Sequence, residues 1–263
     1  GLQTCACECY GVVKQELQRL MPAAVASQGV AAPHGTIEAP VWDIDISKRL
    51  RHGDSRFDLE FHCRSDARRL ALFGPSGAGK SQTLQAIAGL VRPDRGHIRV
   101  LGQTLHDSEA AVHLSPQARR LAYVFQDYAL FPHLTVRQNV AFSLQGGWCN
   151  PPRRAAADAV SAWLENFELL AVEHHLPHQL SGGQRQRTAL ARVLVMQPRA
   201  LLLDEPFAAL DRALRDRLRD ELAALQQRLA IPMLLITHDE HDLRSLADEV
   251  VHLADGRVVA GPS

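Results

Sequence analysis

The pattern of apolar and polar positions changes at about residue 41. Residues 1–40 are rich in Ala, Gln and small polar residues, which predicts a loosely ordered N-terminal extension. Over residues 41–263, short apolar strands alternate with amphipathic helices, the pattern of an α/β domain with a mainly parallel sheet core. The predicted strands are Val41–Ile46, Phe57–Cys63, Arg69–Phe73, His97–Leu101, Leu121–Phe125, Ala200–Leu203 and Met233–Ile236, with a last hairpin-like strand around Asp255–Gly256.

Two regions depart from the simple strand–helix alternation. The first two predicted strands follow each other closely and indicate an antiparallel β subdomain. Between about residues 127 and 182 the periodicity is helical and no convincing strand occurs, which predicts a helical subdomain inserted into the core. The predicted helices are Gln82–Leu90, Val136–Leu144, Ala155–Leu170, Gln184–Met196, Arg212–Leu229 and Glu240–Ala247.

A glycine-rich segment lies between the strand Arg69–Phe73 and the helix after it. Its sequence matches G-x-x-x-x-G-K-[ST], in the strand–loop–helix context that this phosphate-binding motif requires. Its backbone N–H groups and the helix N-terminus bind phosphates, Lys80 is expected to reach the β- and γ-phosphates, and Ser81 to ligate Mg²⁺. The fold is therefore expected to be a P-loop NTPase (RecA-like) core, and the predicted nucleotide-binding residues are Gly74, Pro75, Ser76, Gly77, Ala78, Gly79, Lys80, Ser81 and Gln82.

A second glycine turn, Ser181-Gly182-Gly183-Gln184, stands immediately before another predicted helix. A serine and two glycine amides at a helix N-terminus can bind an anion, which makes these four residues a candidate second phosphate site. Taken alone, the segment is also what an ordinary helix cap looks like.

Two carboxylates end the apolar strand Ala200–Leu203. They lie at the carboxyl edge of a parallel sheet, where such sheets bind ligands. Asp204 is suited to hold hydrated Mg²⁺ and Glu205 to act as general base on the attacking water. Without a phosphate loop, such a pair is equally well explained as solvated surface.

Two further polar residues end neighbouring strands. Gln126 is a candidate contact for Mg²⁺ or the water, and His238 for the γ-phosphate. A single Gln or His at a strand end is more often a plain polar terminus, so only the shared sheet edge supports these two assignments.

Composition narrows the partners. Lys plus Arg equals Asp plus Glu at 29 each, so bulk charge gives no attraction to nucleic acid, and no nucleic-acid partner is expected. No apolar run reaches the roughly 18 residues of a membrane-spanning helix. Cys5, Cys7 and Cys9 lack the paired spacing of a zinc site, so no metal is assigned to them.

The ordered set of motifs resembles the ABC ATPase family from about residue 41 to the end. The resemblance implies a Walker A motif at 74–81, a Q-loop at Gln126, the signature at 180–184, and Walker B ending at Asp204 with catalytic Glu205. It also implies a D-loop at Asp211 that contacts nucleotide, a switch at His238, and catalytic roles for Gln126 and Lys80. ATP and Mg²⁺ are the implied cofactors.

The resemblance also implies partners. These are a second copy in a head-to-tail homodimer, an integral membrane permease and, indirectly, a periplasmic solute-binding protein, which would place the chain peripherally on the cytoplasmic side of the inner membrane. Residues 102–127 look most like those of the ATP-binding subunits of molybdate importers, although importers of sulfate, iron, sugars or polyamines share much of this sequence. No C-terminal regulatory domain is expected.

One departure and two alternative functions stay open. The family stacks adenine on an aromatic residue after the first strand, whereas Ser47–Asp54 offers only His52, Arg49 and Arg51. One alternative function is a non-transport ABC ATPase of DNA repair or translation, against which the absence of a heptad array between the two glycine turns argues. A P-loop kinase would need neither the second glycine turn nor His238.

Overall fold

The computed structural model describes residues 39–52, 55–144, 151, 157–208 and 212–260. Its strands are β1 (Trp42–His52), β2 (Ser55–Ser65), β3 (Arg69–Phe73), β4 (Arg95–Val100), β5 (Gln103–Asp107), β6 (Val112–His113), β7 (Leu121–Val124), β8 (Ala200–Asp204), β9 (Met233–Ile236), β10 (Glu249–Ala254) and β11 (Arg257–Ala260). They form one sheet in the order β6-β5-β4-β1-β2-β11-β10-β3-β9-β8-β7.

One half of the sheet is antiparallel. β1 pairs with β2 on one side and β4 on the other, and β5 and β6 continue the sheet outward. Both β1 and β2 run further toward their hairpin than predicted, because pairing continues beyond the alternating apolar positions. As a result Leu50 stands opposite Phe57 near the tip.

The other half holds the parallel strands. β10, β3, β9, β8 and β7 are parallel neighbours in that order. Ala200–Leu203 and Met233–Ile236 are fully buried, as expected for apolar strands covered on both faces. Because these strands are parallel, their carboxyl ends open at one edge of the sheet.

The helices cover the faces of the sheet and form a separate lobe. They are α1 (Lys80–Ala88), α2 (Pro116–Arg119), α3 (Val136–Phe142), α4 (Ala157–Asn166), α5 (Gly182–Leu194), α6 (Arg212–Leu229) and α7 (Glu240–Leu246), with short 3-10 turns at Leu170–Val172 and Pro177–Gln179. Reciprocal capping boxes start α3 at Thr135 and α5 at Ser181, because each cap side chain pairs with a glutamine three residues later.

Two apolar cores hold these layers together. One contains Trp42, Phe61 and Leu84 and joins the antiparallel strands to α1. The other contains Val140 and Leu218 and joins the helical lobe to α5, α6 and the parallel strands. The described residues between β7 and β8 contain helices and turns and no strand.

Three differences from the sequence predictions have local causes. The hairpin predicted around Asp255–Gly256 is present, but these two residues form its turn, with positive φ, and its strands are β10 and β11 on either side. The short, largely polar β5 and β6 carry no periodicity and were not predicted. α5 begins at Gly182 because Ser181 is its cap.

The N-terminal extension up to residue 38 lies outside the described residues, and with it Cys5, Cys7 and Cys9. Among the helices that are described, none is both long and apolar enough to cross a membrane.

Candidate active site

The glycine-rich loop between β3 and α1 is shaped by close backbone approach. A Cβ atom on Gly74 would lie 2.0 Å from the carbonyl oxygen of Leu253 on β10, so only glycine fits there. Gly79, the N-cap of α1, has φ 97°, a left-handed conformation that glycine adopts without strain. At the far side of the loop, Gly256 N–H donates to the carbonyl of Ala78 at 3.1 Å.

The loop presents free donors to a cleft. Within the part of the chain that the structure describes, the N–H groups of Ser76, Gly77 and Gly79 donate to no protein acceptor. Ser76 and Gly77 are also exposed. Several amides converging at a helix N-terminus form a site for an anion such as a phosphate.

Lys80 lies against this loop. Its Nζ donates to the carbonyls of Gly74 at 2.7 Å and Pro75 at 2.8 Å, and the residue is 6% exposed. Burial lowers the pKa of Lys80, while Glu205 and Asp204 act in the opposite direction. The ammonium group is therefore held over the cradle in which a phosphate would sit.

Asp204, the last residue of β8, receives two hydroxyl donors. Ser81 Oγ donates to Oδ1 at 3.0 Å, and Tyr123 OH donates to Oδ2 at 2.8 Å. Burial raises the pKa of Asp204, and the two hydroxyl donors oppose that rise. Burial also raises the pKa of Tyr123, as does the neighbouring carboxylate, so the phenol is protonated at neutral pH.

Glu205 turns out of the sheet beside Asp204. Its φ is 46°, and its N–H donates to the carbonyl of Ile236 at 3.0 Å. This conformation, unusual for a side-chain-bearing residue, directs the carboxylate into the cleft. His238, just beyond β9, brings Nδ1 to 3.3 Å from Glu205 Oε2.

The cleft has a volume of about 390 Å³ and is lined by Leu50, Phe57, residues 76–82 and Glu205. Phe57 was not predicted as a cleft residue, because the adenine contact was expected within Ser47–Asp54. The ring lies against the loop, since a Cβ atom on Gly79 would be 3.0 Å from its Cζ. Hairpin pairing could have identified Phe57 from the sequence, because it brings an aromatic residue at the start of β2 opposite the end of β1.

Other predicted residues lie elsewhere. Gln126 follows β7, is exposed and does not line the cleft. Ser181 caps α5, accepting from the Gln184 N–H at 3.3 Å, is exposed and does not line the cleft. Asp211 lies outside the described residues.

The two glycines of the second turn differ in role. Gly182 is the first residue of α5. Gly183 is buried, and a Cβ atom there would lie 3.1 Å from Leu214 Cδ1. Close packing of α5 on α6 therefore accounts for this glycine, whatever the turn binds.

The strand order, the glycine loop and the carboxylates at one sheet edge define a P-loop nucleotide-binding protein. The sequence profile described as ABC transporter matches residues 58–208, which is more than half of the chain. The chain belongs to this family.

Its relatives include the sulfate/thiosulfate import ATP-binding protein CysA of Synechocystis sp., 45% identical over 73% of this chain and 52% of that protein. The molybdenum import ATP-binding protein ModC of Paramagnetospirillum magneticum is 40% identical over 83% of this chain and 59% of its own length. The chain thus spans little more than half the length of these curated relatives. The molybdate/tungstate import ATP-binding protein WtpC of Archaeoglobus fulgidus is 42% identical over 82% and 85%.

Among solved structures, the fold is similar to a dimeric post-hydrolysis state of the ATP-binding cassette MJ0796 bound to ADP and Pi. The TM-score is 0.67 at 27% sequence identity, covering 83% of this chain and 96% of that one. This similarity agrees with the P-loop NTPase fold expected from the sequence.

Proposed function

We propose that this chain is the ATP-hydrolysing subunit of an ABC importer. The observation that carries the proposal is the meeting of the phosphate loop, the Ser81–Asp204 pair and Glu205 at one sheet edge. Family membership and relatives named as import ATP-binding proteins support the transport role.

ATP would occupy the cleft. The free loop amides and Lys80 would hold the phosphates, while Phe57 and Leu50 offer an apolar wall for the adenine. Hydroxyl and carboxylate oxygens are the ligands that Mg²⁺ prefers, so Ser81 and Asp204 fit that ion. Bound there, Mg²⁺ would neutralise charge on the phosphates. Gln126 remains a proposed further contact.

Hydrolysis would depend on Glu205. Its carboxylate would accept a proton from a water as the water oxygen attacks the γ-phosphorus and the bond to ADP breaks. His238, whose Nδ1 lies 3.3 Å from Glu205 Oε2, would orient this carboxylate and contact the γ-phosphate. Lys80 would stabilise negative charge as it moves onto the leaving group.

The second glycine turn supports a head-to-tail homodimer. Ser181 is an exposed helix cap and does not line the cleft of its own chain. In a closed dimer Ser181, Gly182 and Gln184, with Asp211, would contact the γ-phosphate side of the partner's ATP. The dimeric MJ0796 cassettes support such an assembly.

Coupling would pass to a membrane permease fed by a periplasmic solute-binding protein, with this chain bound peripherally at the cytoplasmic side. The segment after Gln126 offers Phe131, Pro132 and His133 for that contact. The Phe131 ring is held by two side chains, because its centroid lies 4.3 Å from that of the Phe142 ring and 5.6 Å from the Arg192 guanidinium.

The cargo we propose is a tetrahedral oxyanion. Relatives named for sulfate/thiosulfate and for molybdate/tungstate match at 45% and 42% identity, so they do not favour molybdate over sulfate. The expectation of molybdate therefore widens to the class of tetrahedral oxyanions, of which molybdate is one member.

The test is co-purification with the permease, followed by ATPase assays in liposomes with the binding protein and each of molybdate, tungstate, sulfate and thiosulfate. We expect one oxyanion to stimulate hydrolysis. Glu205→Gln should cut turnover by roughly 10²- to 10⁴-fold and leave ATP binding intact. Near-normal turnover of Glu205→Gln would show that Glu205 is not the general base. Failure to bind any permease would contradict the proposal that the chain belongs to an importer.

A further inference from the structure

We propose that Tyr123 is a positioning residue for the carboxylate that holds Mg²⁺. The inference rests on the proposed magnesium site at Ser81 and Asp204. Nothing in the sequence singled out this tyrosine, which lies on β7, whereas Asp204 ends the neighbouring β8.

The geometry fixes the carboxylate from both sides. Ser81 Oγ donates to Oδ1 of Asp204 and Tyr123 OH to Oδ2, at 3.0 and 2.8 Å. Each carboxylate oxygen accepts about two hydrogen bonds, so one lone pair on each stays free for a cation or its bound water. A ligand held in place before binding loses less conformational entropy when the cation arrives.

The phenol ring is held independently of its hydroxyl group. Tyr123 pairs in register with Leu202 of β8, and its ring lies 4.4 Å from that of Phe125. Replacing the phenol by a phenyl ring therefore removes the hydrogen bond to Asp204 and the hydroxyl's contact with Gln85, and leaves the sheet and the ring packing in place. This makes Tyr123→Phe a sharp probe of the hydroxyl.

The chain offers a matched control. Tyr128 is buried, whereas Tyr123 is partly buried, and the Tyr128 hydroxyl donates to a backbone carbonyl, that of Pro206, at 3.1 Å. Tyr128→Phe thus deletes a comparable phenol close to the end of β8 without touching a carboxylate.

The experiment measures Mn²⁺ affinity by electron paramagnetic resonance on the full chain with a non-hydrolysable ATP analogue. ATP binding is measured separately in EDTA. We expect Tyr123→Phe to weaken Mn²⁺ binding by about tenfold, the lower end of the loss typical when a residue that orients a metal ligand is removed. Metal-free ATP binding should stay unchanged, and Tyr128→Phe should leave both affinities at wild-type values.

Unchanged or tighter Mn²⁺ binding in Tyr123→Phe overturns the positioning role. An equal loss in Tyr128→Phe also overturns it, because the effect would then follow any deleted phenol. Asp204→Asn separates this inference from the metal site itself. If Asp204→Asn leaves the Mn²⁺ affinity unchanged, the proposed magnesium site is wrong. If Asp204→Asn weakens Mn²⁺ binding and Tyr123→Phe does not, the magnesium site is supported and the positioning role of Tyr123 is wrong.

Discussion

Arg119 is predicted to be a major source of stability for the phosphate-loop helix. The residue ends α2 and is fully buried. Its Nη1 donates to the carbonyls of Ala86 at 2.8 Å and Ile87 at 2.7 Å, and its Nε to that of Leu114 at 3.0 Å. Burial lowers its pKa to about 10, so the guanidinium keeps its charge at pH 7 and complements the negative end of the α1 dipole.

The expected loss in the free energy of unfolding follows from the hydrogen bonds that a substitution of Arg119 removes. Arg119→Met keeps part of the apolar stem but removes one donor from each of three carbonyls, at about 1 kcal/mol each. The carbonyl of Ala86 still accepts from the Gly89 N–H at 3.1 Å. Relief of guanidinium desolvation offsets part of that loss. We therefore expect a drop of about 2–3 kcal/mol in the free energy of unfolding. Arg119→Ala should cost about 1–2 kcal/mol more, because it also leaves a cavity.

Urea unfolding followed by circular dichroism measures both variants. Arg120→Met serves as the control, since Arg120 is exposed and should change stability by less than about 0.5 kcal/mol. Hydrogen exchange of the α1 amides should quicken in Arg119→Met and not in the control. A variant as stable as wild type would refute the reasoning, because desolvation would then cancel the hydrogen bonds.

The remaining predictions concern the base pocket, the dimer and acid stability. Phe57→Ala should raise KM for ATP about tenfold with little change in kcat, through loss of base stacking, whereas Phe57→Tyr should not. Ser181→Arg should abolish ATPase activity and ATP-induced dimers in gel filtration; loss of ATP binding to the monomer would count against the head-to-tail arrangement. The hydrogen bond from Arg69, whose Nε lies 2.9 Å from Oδ1, lowers the pKa of Asp248. Its stabilisation should be present above about pH 4 and vanish as pH falls through the lowered pKa. The stability gap between wild type and Asp248→Asn should therefore shrink toward pH 3 in urea titrations, and a gap independent of pH would contradict this assignment.

Much of the parallel core could be predicted from local sequence. Arg69–Phe73, Met233–Ile236 and Arg212–Leu229 have the predicted bounds, because continuous apolar runs and a helical stripe each report a local periodicity. The phosphate loop could be predicted equally well, since its glycines, Lys80 and Ser81 are close together in sequence. Strand-end carboxylates also follow once the strand is known.

Pairings between distant segments were decided only by the tertiary structure. Phe57 reaches the loop through the register of the β1–β2 hairpin, and Arg119 reaches the end of α1 through packing of α2. Tyr123 meets Asp204 because β7 is the sheet neighbour of β8. Local periodicity specifies which face of a strand is buried, but the order of strands in the sheet depends on long-range packing. The sequence by itself therefore determined most of the elements and the phosphate loop, whereas the fold decided which side chains support that loop and its carboxylates.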